Sequence, residues 1–145
     1  MHFERSIVID RSPADVWAFV ADPANDPRWC DKVRSVEQVA GDGPGPAARY
    51  RVRHAPKPLG APAELAVEVV EFDPPRGMRT RQEDGDGVFD VRYELTPEGS
   101  GTRFTQIDDI EWKIPRLGYP IARMMVNRHL GQQCAALKRV LESGA

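Results

Sequence analysis

An amide and a carboxylate two residues apart, Gln106 and Asp108, stand between Phe104 and Trp112 in the stretch TRFTQIDDIEW. Alternate side chains of a strand share a face. Extended, this stretch sets Phe104, Gln106, Asp108, Ile110 and Trp112 on one side and Arg103, Thr105, Ile107, Asp109 and Glu111 on the other. The first side carries the larger apolar groups and is expected to point inward, where an unpaired carboxylate is costly. Two arrangements accommodate Asp108. A bulge or outward placement pairs it with an arginine, or the strand lines a cavity instead of a solid core. In the second case burial raises the Asp108 pKa, and the group can serve as a general base toward an acidic C–H or water. Tyr50 and Tyr93 would offer phenolic O–H groups to a substrate carbonyl. His54, at a strand end beside a proline-rich loop, would stand near the cavity mouth.

Other chemistries find no support. His2, His54 and His129 match no metal-ligand spacing, so neither metal nor cofactor is expected. His2 is terminal and solvated, and His129 sits at the edge of a helical apolar stripe. The run EDGDGVFD lacks the twelfth-position Glu of a calcium loop and reads as a hairpin. EGSGT is a turn with no nucleophile elbow, and GDGPGP is interrupted by prolines and followed by a strand, unlike a phosphate loop. Cys30 and Cys134 have no motif partner and read as reduced packing thiols.

A chain of 145 residues suits one domain over 1–145, large enough to fold without a disulfide or metal. Its 41% hydrophobic and 29% charged residues are those of an ordinary globule. The net charge of −2 makes no electrostatic case for nucleic acid or an anionic membrane. The N-terminus MHFERSIVID has no signal-peptide pattern and no apolar run is long enough to span a membrane, so a cytoplasmic location is expected. Sixteen arginines against four lysines suggest a GC-rich bacterial genome.

The elements that must position these residues follow from local pattern. Residues 3–10 read as a strand. Ser12 as N-cap, Pro13 at the first helical position and Asp15 in the first turn open a helix that ends at Pro23. ANDPRW reads as a short helical turn ending at Trp29. Strands are expected at 33–40, 47–54, 63–72, 78–83, 88–96 and 102–112, and a loop at 55–62. Residues 115–143 read as one long helix with Val126, Leu130, Cys134, Leu137 and Leu141 on one face, and with Pro120 and Gly131 as candidate weak points. Short turns between successive strands imply an antiparallel sheet, and the long helix is its available cover.

Alternation assigns the two faces. Arg49, Arg51, Arg53, Arg79, Arg81 and Arg92 belong outside, cross-paired with Glu71, Glu94 and other acids. Tyr50, His54, Met78, Tyr93, Phe104, Gln106, Asp108 and Trp112 collect inside. Glu68 joins them if Ala66, Glu68 and Val70 face inward, although Val67 and Val69 suit that side equally. Trp29 and Phe89 complete an aromatic wall, and Met125 on the helix adds a thioether. Aromatic and apolar walls with a few polar groups describe a small-molecule pocket.

The segments SIVIDRSPADVWAFVADPANDPRW, VVEFDPPRGMRTR, YELTPEGSGTRFTQ and HLGQQCAALKRVLE resemble the START-like, or SRPBCC, superfamily in its polyketide cyclase/dehydrase and lipid-transport branch, over nearly the whole chain. The resemblance implies an α+β helix-grip fold: a curved seven-stranded antiparallel sheet around a long C-terminal helix, two short helices after the first strand, and a ligand cavity between sheet and helix. It leaves three readings of function. The chain binds a hydrophobic or aromatic, polyketide- or lipid-like molecule; or it is a cyclase, aromatase or dehydratase; or it is a protein-interaction module of the Hsp90-cofactor type. A monomer or homodimer is expected. Polar residues converging in the cavity favour the enzyme, a smooth apolar wall the carrier, and an exposed apolar patch elsewhere the interaction module.

Overall fold

A computed structural model describes residues 1–56 and 63–144. The strands are β1 (His2–Ile9), β2 (Val33–Ala40), β3 (Arg49–His54), β4 (Glu64–Asp73), β5 (Gly77–Glu83), β6 (Gly87–Glu98) and β7 (Gly101–Trp112). Helix α1 (Pro13–Val20) and a 3-10 helix (Pro23–Arg28) follow β1, and a short 3-10 turn (Arg116–Gly118) leads into α2 (Tyr119–Glu142). The seven strands form one antiparallel sheet in the order β1-β7-β6-β5-β4-β3-β2, so the first and last strands of the chain pair at one edge. This is the helix-grip architecture. The loop expected at 55–62 lies outside the described residues from 57 onward.

Local chemistry accounts for the connections. The Ser12 side chain accepts from the Asp15 backbone N–H at 3.2 Å, the N-cap that starts α1. Asp22 caps the following 3-10 helix through Ala24 N, and the Asn25 amide donates to Phe19 O at 3.0 Å, tying that helix to α1. Thr102, fully buried, donates its hydroxyl to Arg11 O and joins β7 to the α1 entry.

The core lies between the concave face and the helices. Leu130, Cys134, Leu137 and Leu141 of α2 are buried, with Val126 partly covered, as the stripe predicts. Cys134, Leu137 and Leu141 pack with Phe104, Ile9, Val16, Val20 and Trp29, and Leu130 and Val126 with Phe3 and Ile110. The outer face carries the expected cross-strand ion pairs, Arg49–Glu68, Arg51–Glu37, Arg51–Glu64 and Arg79–Glu71 among them. These are solvated and individually worth little.

Two assignments need correction. In β4, Leu65, Val67 and Val69 point inward, and Glu68 points out to Arg49 at 3.5 Å. Three branched apolar side chains outweigh a frame that would bury a carboxylate. A register shift between Val69 and Glu71 then keeps Glu71 outside, on Arg79, and returns Phe72 to the interior, edge-on to Trp17. Met125 is also displaced: it is 49% exposed, because the first turns of α2 turn that side away from the sheet.

Candidate functional site

The inner face can be followed in cross-strand rows. Phe104 lies between Ile7 of β1 and Leu95 of β6; Gln106 between Arg5 and Tyr93; Asp108 between Phe3 and Val91. Neither pairing of β7 shifts register along this stretch. Asp108 therefore faces inward with Phe104, and the bulged alternative is excluded. Along this face Phe104 is fully buried, Gln106 and Ile110 nearly so, and Asp108 and Trp112 are half-buried. The Gln106 Nε2 donates to Asp108 Oδ1 at 3.1 Å, while Gln106 Oε1 has no partner among the described residues. Burial pushes the Asp108 pKa up; the Gln106 hydrogen bond and the Lys32 charge work against it, and Asp109 adds to it.

Against this strand stands an aromatic cluster supplied partly by the first 3-10 helix. Trp29 lies 5.9 Å from Tyr93 and 6.1 Å from Phe104, and Tyr93 lies 5.3 Å from Phe104, all tilted or edge-on. Trp29 Nε1 and Tyr50 Oη are both buried without a hydrogen-bond partner among the described residues. Native interiors leave few such groups, so three orphaned polar atoms in one inner region are a local signature.

Asp26 is the residue that sequence reasoning missed. Burial pushes its pKa up to about 8; the Trp29 indole N–H favours the charged form, and Asp22 opposes it. The Trp29 indole N–H lies close to Asp26 without forming a well-aligned hydrogen bond. Asp26 also anchors the turn, its carbonyl accepting from Trp29 N at 3.1 Å and Cys30 N at 2.7 Å. Its field acts on Tyr50 and Tyr93, whose phenols are both raised by burial first and by Asp22 or Asp26 next. The signal was present in ANDPRWC, where an acid precedes Trp and Cys by three and four residues, the spacing of one helical face.

Of the other expected residues, Met78, Tyr50 and Trp29 are buried in the same core. Phe89 and Trp112 stack edge-on at 5.9 Å in a second cluster with Phe3, Ile110 and Leu130, and Trp112 Nε1 donates to Met1 Sδ at 3.4 Å. His54 ends β3 opposite Val33, half-buried, four residues beyond Tyr50. At ~3.3 Å per residue that is about 13 Å from Tyr50 along the strand. Glu68 and Met125 lie outside the arrangement. His129 is half-buried on α2, its pKa lowered by burial, Lys32 and Arg128 against an opposing Asp31. The buried thiols have raised pKa values, Cys134 to about 11, chiefly from burial, which keeps them protonated and unreactive at neutral pH. Two surface depressions of about 300 Å³ each lie elsewhere, one beside Arg11, Phe19 and Arg28, the other beside Met1, Val88 and Glu111. Among the described residues no group of three or more acids, histidines or cysteines could hold a metal ion, and no helix is long and apolar enough to cross a membrane.

The comparisons agree with this architecture. A protein of Thermus thermophilus is similar over 100% of both chains, with a TM-score of 0.82 and 21% identity. A START superfamily protein from Mycobacterium smegmatis is similar over 99% of both, with a TM-score of 0.78 and 18% identity. The Zhui aromatase/cyclase of a Streptomyces species is similar over 98% of this chain and 93% of its own, with a TM-score of 0.80 and 14% identity. At these identities the likeness is one of fold. No curated protein sequence matches significantly. The family model described as "Polyketide cyclase / dehydrase and lipid transport" matches residues 1–142, and the chain, with its helix-grip sheet, belongs to that family.

Proposed function

We propose that this protein binds a hydrophobic or aromatic molecule of polyketide- or lipid-like character between the inner face of the sheet and α2. The observation that carries this reading is the set of three buried, unpartnered polar atoms, Trp29 Nε1, Tyr50 Oη and Gln106 Oε1, among aromatic side chains. Two are donors and one an acceptor, so the complement is a planar or acyl molecule with carbonyl and hydroxyl groups. Trp29 is in the cluster, so intrinsic fluorescence should report binding. A panel of aromatic polyketide-like and fatty acyl compounds should quench or shift it, and Tyr50→Phe should weaken compounds bearing carbonyl oxygens more than pure hydrocarbons. A panel that leaves both fluorescence and melting temperature unchanged would defeat the reading.

A second reading, cyclase or dehydratase chemistry, is favoured by the two carboxyl groups of raised pKa. Asp108, once ionised, would take a proton from a carbon next to a ligand carbonyl. The resulting enolate carbon would form a new C–C bond to a second carbonyl of the same chain, whose oxygen would take up a proton. Asp26, which holds its proton up to about pH 8, and Tyr50 would donate to the carbonyl oxygens as charge develops. Tyr93 would shape the site beside Gln106, and His54 would stand at its mouth. Product formation lost in Asp108→Asn with ligand affinity kept within a few fold supports this reading; unchanged product formation removes Asp108 from it.

A further inference from the structure

The exposed apolar side chains are not scattered evenly. Val8, Val39 and Val70 stand on three different strands, but Leu117, Ile121, Met124 and Met125 come together at the start of α2, 93%, 62%, 64% and 49% exposed. Ile121, Met124, Met125 and Arg128 recur at the i, i+3, i+4, i+7 spacing of a helical face. The stripe through Leu130, Cys134, Leu137 and Leu141 is buried on the sheet. The first turns of α2 thus carry a second apolar stripe, directed away from the core.

The charges around it have one sign. Residues 112–141 contain no Asp or Glu, in a chain whose overall charge is −2. Arg116, Arg123 and Arg128 are exposed, and none takes part in an ion pair among the described residues, whereas Lys113 is held by Glu83 at 2.8 Å. Net charge averages this asymmetry away, which is why composition makes no case for an anionic surface. From this juxtaposition we propose that the face formed by Leu117, Ile121, Met124 and Met125, with Arg116 and Arg128, docks on an anionic lipid bilayer surface. Apolar side chains on a projecting helix flanked by arginine are the pattern of an interfacial helix, its apolar side entering the acyl boundary and its cations meeting lipid phosphates. A second copy of this chain is the weaker occupant, because a symmetric contact would set arginines against arginines. The proposal is independent of whether the interior holds a ligand.

The test is co-sedimentation of the full chain with vesicles of phosphatidylcholine alone and of phosphatidylcholine mixed with phosphatidylglycerol. Binding is expected to the mixed vesicles at low salt, to fall steeply as salt rises, and to be slight on phosphatidylcholine alone. Each of Arg116→Gln and Arg128→Gln should weaken it about fivefold. Ile121→Ser with Met124→Ser should weaken it further and lower the binding that persists at high salt. All these positions are exposed, so melting temperature should not change. Arg53→Gln, on the outer face of the sheet, should have no effect. No binding to anionic vesicles at low salt, as when the partner is an acidic protein or a second copy, overturns the proposal. So does binding that survives both sets of substitutions.

Discussion

Burial raises the pKa of both Asp26 and Asp108. An unfolded Asp ionises near 3.8, but folded Asp26 keeps its proton up to about pH 8. Between those values the unfolded state has released a proton that the native state still binds, so stability falls as pH rises. Denaturant unfolding from pH 4 to pH 8 should show this decline, and Asp26→Asn should flatten it and raise stability at pH 8 by on the order of a few kcal/mol. A wild-type profile with no slope across that window would show that Asp26 is solvated. Asp108 has the same sign, its pKa raised by burial. Asp108→Asn should therefore be neutral or stabilising at pH 7 and give no gain at pH 3, where the native carboxyl is already protonated. A loss of stability at pH 7 would mean that the carboxylate is held by a cationic partner and would count against a base. That Asp108 faces inward was legible from alternation with Phe104 and Trp112. For Asp26 the sequence offers only its spacing to Trp29 and Cys30, and a short turn rich in Pro, Asn and Asp reads as solvated until the sheet that covers it is known.

At the level of elements, α2 is the main cover of the concave face, and Leu137 lies at its centre with no exposed surface. Leu137→Ala should cost ~2–5 kcal/mol; a measured loss below ~0.5 kcal/mol would mean that α2 does not close the core. The start of β7 is equally constrained. A Cβ on Gly101 would sit 2.5 Å from the Ile9 carbonyl oxygen, so Gly101→Ala should force the β1–β7 pairing apart and lower the melting temperature, while Gly45→Ala, with open space around it, should not. Every expected strand and helix was recovered with ends shifted by a few residues. The misses were of facing: the two-residue period of β4 left both phases open for Glu68, and Met125 was counted as a pocket wall although helical spacing sets it off the Leu130–Leu141 stripe; the phase is chosen by what the other layer presents.

For the molecule as a whole, the prediction is a link between ligand and stability. A ligand that binds only the folded protein at a concentration of 100 Kd adds ~2.7 kcal/mol, and at this chain length that should raise the melting temperature by about 5–10 °C. Thermal melts with the compounds that alter tryptophan fluorescence should show this rise. Compounds that change fluorescence without raising the melting temperature would be contacting an exposed surface instead of the interior.

The sequence alone determined the order of elements, the antiparallel sheet with its covering helix, the arginine-rich outer face and, for an unbulged strand, the shared face of Phe104, Gln106 and Asp108. Those features depend on local period, caps and turns, which act over a few residues. Tertiary structure alone decided which polar groups meet. Asp26 is 82 positions before Asp108 in the chain, yet both fields act on Tyr93. The orphaned Trp29, Tyr50 and Gln106 atoms come from three elements brought together only when the sheet curves around α2. The arginines beside Ile121 and Met124 became a surface only once the opposite side of the helix was committed to the core. Burial and charge proximity are properties of that assembled space, and no local pattern encodes them.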